Sequence, residues 1–250
     1  LRRFGSDFFD DDISTFAPVD NAPVPQGYVI GVGDTMNLSV FGKQPDERVL
    51  QVDREGSVIL PNLGAVYVGG MTFEQAKTTI EKQIQSQMIG ADVSISMGRI
   101  KSINVFMAGE VSRPGSYSVS GLTTLTQGLY LSGGISDLGS FRNIELLRDG
   151  ELIQKYDLYK LLLEGDTSGD QRLRSGDVVF VNTSGPKVSI EGEIIRPAIY
   201  EVDSNETLSD LVGMAGSLSS RAFLKGATLQ RYDKNSGQPV ILNVNIGEPK

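Results

Sequence analysis

The sequence has 250 residues, of which 39% are apolar and 22% are charged, and its formal net charge is −8. This length accommodates two or three small domains, each with its own core, and the negative charge argues against nucleic acid as the main partner. The chain contains no cysteine and no histidine, which excludes disulfides, cysteine nucleophiles, a Ser-His-Asp triad and histidine-bearing zinc sites.

Residues 1–26 combine four aspartates between positions 7 and 12 with three prolines between positions 18 and 25. They show no hydrophobic period, so we predict an acidic, extended leader. Calcium binding is the alternative for the aspartates, but the glycine and the ligand spacing of an EF-hand loop are missing. Because the sequence begins at Leu1 without a secretion signal, we expect a piece of a longer protein. No run approaches 18 apolar residues, so no apolar membrane-spanning helix is predicted.

Residues 27–100 are predicted to form a small α+β domain with one helix laid on a sheet. Alternating apolar residues indicate strands near 28–30, 36–40, 49–52, 57–60, 65–68 and 93–97. Residues 54–56 predict a hairpin turn between the third and fourth of these strands. Thr72 and Gln75 form a capping-box pattern that begins a helix, and Gly90 is expected to end it.

The nine residues 109–117 recur, partly altered, 83 positions later, and an ungapped alignment of residues 105–149 with 188–232 gives 13 identities in 45 positions. A repeat of this length indicates a duplicated small domain. Its invariant motif is Gly-Glu-x-x-Arg-Pro, which comprises Gly109, Glu110, Arg113 and Pro114 in the first copy and Gly192, Glu193, Arg196 and Pro197 in the second.

Each copy is predicted to begin with a hairpin, followed by a short capped helix and a second hairpin. The helices start at Thr124, paired with Gln127, and at Thr207, paired with Asp210. The first copy closes with a short helix near 158–163 and a strand near 173–181. The equivalent of that strand falls near position 256, so we predict domains at 101–184 and 185–250, with the second incomplete at its C-terminus.

Two Gly-Asp pairs stand at predicted strand entries, Gly33-Asp34 and Gly176-Asp177. Gly31 and Gly33 suggest a nucleotide-binding loop, but the third glycine is replaced by Met36 and a strand is predicted where a helix would begin. We therefore interpret both pairs as structural corners, in which glycine supplies an unusual backbone angle and aspartate binds nearby amides.

The repeated arginine and glutamate of the Gly-Glu-x-x-Arg-Pro motif suggest either a site for an anionic sugar or a pair of surface ion pairs, and we favour ion pairs. The many carboxylates would also suit a glycosidase, which needs two of them. None stands in a motif that marks an acid or a nucleophile. We expect no catalytic residue, no metal and no cofactor.

The segments DREGSVILPNLGAVYVGGMT and VFMAGEVSRPGSY, followed by LRSGDVVFVN, resemble the bacterial outer-membrane polysaccharide export family of the Wza type. The first is similar to the signature of the export domain, and each Gly-Glu-x-x-Arg-Pro segment resembles the opening of a soluble-ligand-binding β-grasp (SLBB) domain. The resemblance covers about residues 27–250. It implies an α+β fold: a small export domain followed by two β-grasp-like SLBB domains, the second truncated.

The resemblance further implies a periplasmic body on the outer membrane of a Gram-negative bacterium, assembled as a ring-like homo-oligomer that passes capsule polysaccharide or exopolysaccharide. An inner-membrane polysaccharide co-polymerase is the implied partner. The family's lipidated N-terminal cysteine and C-terminal amphipathic helix are not among these residues, so we expect membrane contact only through segments outside this sequence. The alternatives are an SLBB module that binds a carbohydrate or other soluble ligand without forming a conduit, and a carboxylate enzyme that trims the polymer.

Overall fold

The computed structural model describes residues 1–10, 24–25, 27–41, 45–88, 92–233 and 236–246. The α-helices in these ranges are α1 (Phe73–Gln87), α2 (Leu125–Leu131) and α3 (Leu208–Met214). The strands are β1 (Thr35–Phe41), β2 (Asp46–Gln51), β3 (Ser57–Leu60), β4 (Gly64–Tyr67), β5 (Asp92–Met97), β6 (Ser102–Gly109), β7 (Gly115–Ser120), β8 (Gly139–Arg148), β9 (Glu151–Tyr156), β10 (Val178–Thr183), β11 (Lys187–Ile190), β12 (Ala198–Glu201), β13 (Ala227–Tyr232) and β14 (Pro239–Val244). The predicted α+β class is confirmed.

The first unit is an antiparallel sheet in the order β2-β1-β5, beside the hairpin β3-β4. Its core is separate from that of the repeats and includes Met36, Val58 and Ile80, each fully buried. The Thr72–Gln75 capping box forms as predicted, while Gly90 lies outside the described residues. The hairpin expected between β2 and β3 is wrong, because β2 pairs with β1 and β3 pairs with β4. The predicted strand at 28–30 is only a single bridge from Val29 to Thr72.

The first copy of the repeat is a five-stranded mixed sheet in the order β7-β6-β10-β8-β9. The last strand in sequence, β10, lies at the centre, parallel to β6 and antiparallel to β8. Leu125 and Leu129 of α2 share a core with Val179 and Val181 of β10, and all four side chains are fully buried. This insertion of β10 joins two hairpins into one sheet.

The second copy repeats these elements without a strand equivalent to β10 among the described residues. Its hairpins β11-β12 and β13-β14 are therefore two separate two-stranded sheets. The α3 capping box forms between Thr207 and Asp210 as predicted. Ile194, Tyr200 and Leu211 of this copy nevertheless belong to the same hydrophobic core as the first copy. The two copies are thus packed as one body.

The N-terminal residues 1–10 are not an extended leader, and that prediction is wrong for them. Arg3 bridges Ile199 of β12 in parallel, and the Phe4 ring stacks on Tyr200 with centroids 5.0 Å apart. A 3-10 turn at Ser6–Phe9 then places Phe9 against Phe141, with centroids 6.1 Å apart. Two phenylalanines five residues apart are too sparse to show a period, yet both find apolar partners at the seam of the repeats. Residues 11–23, including Asp11 and Asp12, lie outside the described residues.

Candidate functional site

The first Gly-Asp corner, Gly33-Asp34, forms hydrogen bonds that connect the beginning of the export unit to the residue that precedes the first repeat. Gly33 adopts a φ of 93°, and the fully buried Asp34 accepts hydrogen bonds from the Gly31 amide and the Lys101 amide, both at 2.8 Å. The Tyr28 hydroxyl also donates to Asp34, at 2.8 Å. Burial and the adjacent carboxylate raise the pKa of Tyr28. The Lys101 side chain lies against Gly31.

The second corner has the same local geometry and a different long-range partner. Gly176 adopts a φ of 89°, and the fully buried Asp177 accepts from the Arg174 amide at 2.7 Å. Arg148, the last residue of β8, donates Nε and Nη2 to the two carboxylate oxygens at 2.7 and 2.8 Å. The hydrogen bond with Asp177 raises the pKa of Arg148. A bidentate pair of this kind fixes geometry as well as charge, so it holds the turn into β10 against β8.

In the first copy, the Gly-Glu-x-x-Arg-Pro motif closes the end of α2. Arg113 Nη2 donates to the carbonyl of Leu131, the last residue of α2, at 3.5 Å. The Ser136 hydroxyl donates to Glu110 Oε2 at 3.2 Å. Gly109 has a φ of 73°, and a Cβ there would overlap the Val181 carbonyl. Pro114 directly precedes β7.

The second copy reproduces these contacts 83 residues later. Arg196 Nη2 donates to the Met214 carbonyl at the end of α3, at 2.9 Å, and the Ser219 hydroxyl donates to Glu193 Oε2 at 2.6 Å. Gly192 again has a positive φ, 97°, and Pro197 directly precedes β12.

The expected arginine–glutamate ion pairs are wrong. Among the described residues, no ion pair within 4.0 Å joins Arg113 to Glu110 or Arg196 to Glu193. Each arginine instead binds a carbonyl at a helix C-terminus, where the helix dipole favours a cation. The twelve motif residues therefore lie at four separate corners and do not converge on one site.

The polar side chains that do converge lie where the two copies meet. We call this region the repeat junction and define it by Arg3, Ser140, Arg142, Asp157, Glu201 and Glu206. Glu201, at the end of β12, is 3% exposed. Its carboxylate accepts from the Ser140 hydroxyl at 2.6 Å, the Phe141 amide at 3.0 Å and the Gly185 amide at 2.9 Å. Arg3 adds an ion pair at 3.2 Å.

Arg142 is the second centre of the repeat junction. Its guanidinium binds Asp157 at 3.2 Å and Glu206 at 2.6 Å, and it also donates to the Glu201 carbonyl at 3.2 Å. Burial opposes the charge on Arg142, but the bonds with the two carboxylates outweigh burial and raise its pKa. For Asp157, burial outweighs the Arg142 contact and raises the pKa above its ordinary value. This cluster connects β8 and β9 of the first copy to the entry of α3.

Sequence reasoning missed the repeat junction. Glu201 is not part of the repeated motif, since residue 118 of the first copy is a serine, and its ligands come from residues far apart in the chain. The only local signal is that Glu201 is a charged residue at the end of a short apolar strand. A solvent-exposed glutamate would give the same pattern.

A polar cleft of about 390 Å³ opens beside Arg142. Its lining includes Asp157, Lys160, Asp166 and Asp203, so both signs of charge are present. Over the part of the chain that the structure describes, no group of three or more carboxylates is placed to hold a metal ion. No helix within the described ranges has the length and apolarity needed to cross a membrane.

Comparisons with known proteins agree with this arrangement. Residues 22–98 match the family described as "Polysaccharide biosynthesis/export protein", and residues 104–155 and 187–243 match the SLBB domain. The matches therefore define a protein with an export domain followed by two SLBB segments. The chain therefore carries the export domain and the SLBB domains that its motifs predicted.

Two curated relatives are similar over most of this chain. "Polysialic acid transport protein KpsD" of Escherichia coli is 26% identical over 203 residues, which is 80% of this chain and 36% of that protein. "EPS I polysaccharide export outer membrane protein EpsA" of Ralstonia nicotianae is 29% identical over 192 residues, which is 75% of this chain and 50% of that protein. The chain thus spans between about a third and a half of the length of these relatives.

Proposed function

We propose that this chain is the periplasmic part of an outer-membrane polysaccharide export protein and acts as a non-enzymatic, oligomeric conduit for capsule polysaccharide or exopolysaccharide. The observation that carries the proposal is the domain order, an export domain followed by two SLBB segments. The names of two similar proteins describe transport of polysialic acid and export of EPS I polysaccharide.

The repeat junction supports a structural role for the SLBB pair. A wall that passes a hydrated polymer has to keep its shape while binding the polymer weakly at many points. The two copies share one core. Glu201 and Arg142 join them through charged hydrogen bonds, which are buried at Glu201 and partly buried at Arg142. The buried carboxylates of Asp34, Asp177 and Glu201 are all bound by protein donors, so they serve the fold.

Ring assembly and a co-polymerase partner are part of the proposal. The test is native mass spectrometry of the full-length protein purified from its membrane. A single closed stoichiometry is the expected result, and pull-down of an inner-membrane co-polymerase should accompany it. A protein that stays monomeric at high concentration would contradict the ring.

A ligand-binding module without a conduit role is the second candidate, and the cleft beside Arg142 is the observation that favours it. A volume of about 390 Å³ lies within the usual size range of small-molecule sites. Calorimetric titration with defined oligosaccharides separates the two functions. Saturable, stoichiometric binding that Lys160→Ala weakens would favour the module, whereas a conduit predicts no such saturation.

Polymer trimming is the third candidate. Among the cleft carboxyls, burial raises the pKa of Asp157, which is the direction of shift found in general acids. However, Arg142 binds its Oδ2 at 3.2 Å and the Tyr159 amide binds its Oδ1 at 2.9 Å, which leaves it poorly placed to protonate a glycosidic oxygen. The assay is release of reducing ends from the native polysaccharide. The proposal predicts none after long incubation, and release that Asp157→Asn abolishes would establish an enzyme.

A further inference from the structure

The N-terminal residues 2–9, which we call the strap, bind the SLBB pair at the outer edge of a strand. The Phe4 amide donates to the Ile199 carbonyl and the Ile199 amide donates to the Arg2 carbonyl, both at 2.9 Å. The strap thus adds to β12 as a short parallel strand. In the first copy β10 joins the sheet beside β6, and β7, the counterpart of β12, is the outermost strand. The edge of β12 that binds the strap is therefore an outer edge of the repeat, on the side away from the closing strand.

Arg3 occupies a charged pocket formed by both copies. Its side chain is 11% exposed, and its guanidinium forms an ion pair with Glu201 at 3.2 Å. The same guanidinium donates to the carbonyls of Ser136 and Gly139. Its central carbon lies 4.0 Å from the centre of the Phe141 ring, a distance at which cation–π attraction contributes. Glu201 belongs to the second copy and the other partners belong to the first, so one side chain contacts both copies.

Two aromatic pockets receive phenylalanines of the strap. The Phe4 ring stacks on Tyr200 of the second copy and meets Tyr159 of the first copy edge-on, with centroids 5.0 and 5.2 Å apart. The Phe9 side chain lies against Gly134 of the first copy, where an added Cβ would stand 2.6 Å from it. Arginine and aromatic side chains are enriched in the buried centres of protein interfaces. We call the surface that receives these anchors the strap groove and define it by Gly134, Phe141, Tyr159, Ile199, Tyr200 and Glu201.

The first copy indicates that the pockets are needed in addition to the strand edge. Over the described ranges, no segment pairs with the outer edge of β7. Tyr117 is the counterpart of Tyr200, but Ser118 stands where the second copy has Glu201. The first copy thus has an edge and an aromatic residue without the carboxylate that binds Arg3.

The strap lies outside the core that it covers. Phe4 and Phe9 pack against the shared core of the SLBB pair as partly buried side chains. Among the described residues, no buried member of that core comes from residues 1–10. Loss of the strap therefore exposes core surface without removing a buried core side chain.

We propose that the strap groove is a binding site for an arginine–aromatic segment and that residues 2–9 of the same chain occupy it as a reversible strap. When docked, the strap clamps the second SLBB copy onto the first through Arg3 and Phe4, each of which contacts both copies. When released, it leaves both copies folded and opens the groove. This inference concerns how the chain holds its SLBB pair together, and it does not depend on the conduit function.

Hydrogen exchange of the full chain tests whether the strap opens on its own. The Phe4 and Ile199 amides should show one common protection factor, lower than those of β10, because local opening needs less free energy than unfolding. Arg3→Ala should lower that protection factor about tenfold, the size expected for lost charged hydrogen bonds. Arg2→Ala is the matched control. The Arg2 side chain is 79% exposed, so its removal should leave the protection factor nearly unchanged.

A chain that lacks residues 1–10 tests whether the groove binds the segment as a separate molecule. The amides of β10 should keep their protection, and a fluorescent peptide of residues 1–10 should bind with 1:1 stoichiometry in an anisotropy titration. The full chain should bind this peptide more weakly by about tenfold or more, because its own strap fills the groove. Peptides with Arg3→Ala or Phe9→Ala should lose affinity about tenfold, whereas Arg2→Ala and Phe8→Ala should change it little.

Four results would overturn the proposal. Loss of protection in β10 after the deletion would show that residues 1–10 are part of the core, and protection of Phe4 equal to that of β10 would show that the strap opens only on unfolding. Absence of peptide binding to the shortened chain, or equal binding of all the peptides, would contradict the arginine and aromatic pockets. Dimers of the full chain that the deletion abolishes would identify a second copy as the source of the segment.

Discussion

Removal of the Glu201 carboxylate tests whether the repeat junction holds the two copies together. The carboxylate accepts four hydrogen bonds, from Ser140, Phe141, Gly185 and Arg3. In a Glu201→Ala variant the two backbone amides lose their acceptor, and the Arg3 guanidinium stays buried without its anion. Burial already lowers the pKa of Arg3, and Glu201 counteracts that effect. The variant therefore leaves an uncompensated cation in the seam.

Breaking a buried pair from one side costs about 3–5 kcal/mol. For a folded body of this size, 1 kcal/mol corresponds to about 3 °C, so we expect the melting temperature of the SLBB pair to fall by about 10 °C. Differential scanning calorimetry measures this, and the export unit, which has its own core, provides an internal reference transition.

The matched control is Glu193→Ala. The Glu193 side chain is 48% exposed, so its removal should cost less than about 1 kcal/mol. Equal melting temperatures for Glu201→Ala and Glu193→Ala would show that the repeat junction does not stabilise the packing of the two copies. The inference from its buried hydrogen bonds would then be refuted.

Three further predictions concern the N-terminal segment, pH and the second copy. Phe4→Ala should destabilise the SLBB pair by about 2 kcal/mol because it removes the ring stacked on Tyr200. Phe8→Ala, at a 36% exposed position, should be nearly neutral. Equal urea midpoints for the two variants would support the prediction that the N-terminal residues are an extended leader. Burial opposes the charge of Glu206, but the Arg142 hydrogen bond outweighs burial and lowers the pKa of Glu206 below its ordinary value of 4.5. The contribution of Glu206 to the free energy of unfolding is therefore fully present above the unfolded pKa and is lost as pH falls through the folded pKa. Glu206→Gln should therefore reduce the loss of unfolding free energy between pH 7 and about pH 3 in urea titrations. An unchanged loss would show that the Arg142–Glu206 pair does not contribute to the pH dependence of stability. In hydrogen exchange, β13 and β14 should be less protected than β8 and β9, since an isolated hairpin is marginal; equal protection would mean that something already completes the second sheet.

Local sequence signals were sufficient for the elements of this fold. The capping boxes at Thr72, Thr124 and Thr207 each start a helix where predicted, because a cap depends on residues three positions apart. The alternation in 36–40 and 57–60 likewise marks β1 and β3. The repeat with a spacing of 83 residues indicated which elements of the two copies are equivalent.

Local sequence signals could not predict which residues pair across long sequence distances. The pattern of β10 indicated a strand, but not its place between β6 and β8, which depends on contacts with residues more than 30 positions away. For the same reason the turn at 54–56 was wrongly assigned to a hairpin. Arg113 and Arg196 were wrongly paired with neighbouring glutamates because the carbonyls that bind them, at Leu131 and Met214, are 18 residues away in sequence.

We propose that the full-length protein conducts a finished polysaccharide out of the periplasm without altering it. The most direct test is the location and chain length of the polymer in a strain of the source bacterium that lacks the gene. We expect polymer of unchanged length to disappear from the cell surface and to accumulate inside the outer membrane, and we expect the full-length gene to restore the surface polymer. Normal surface polymer in the deletion strain, or polymer of altered length, would show that the protein is not a passive conduit for export.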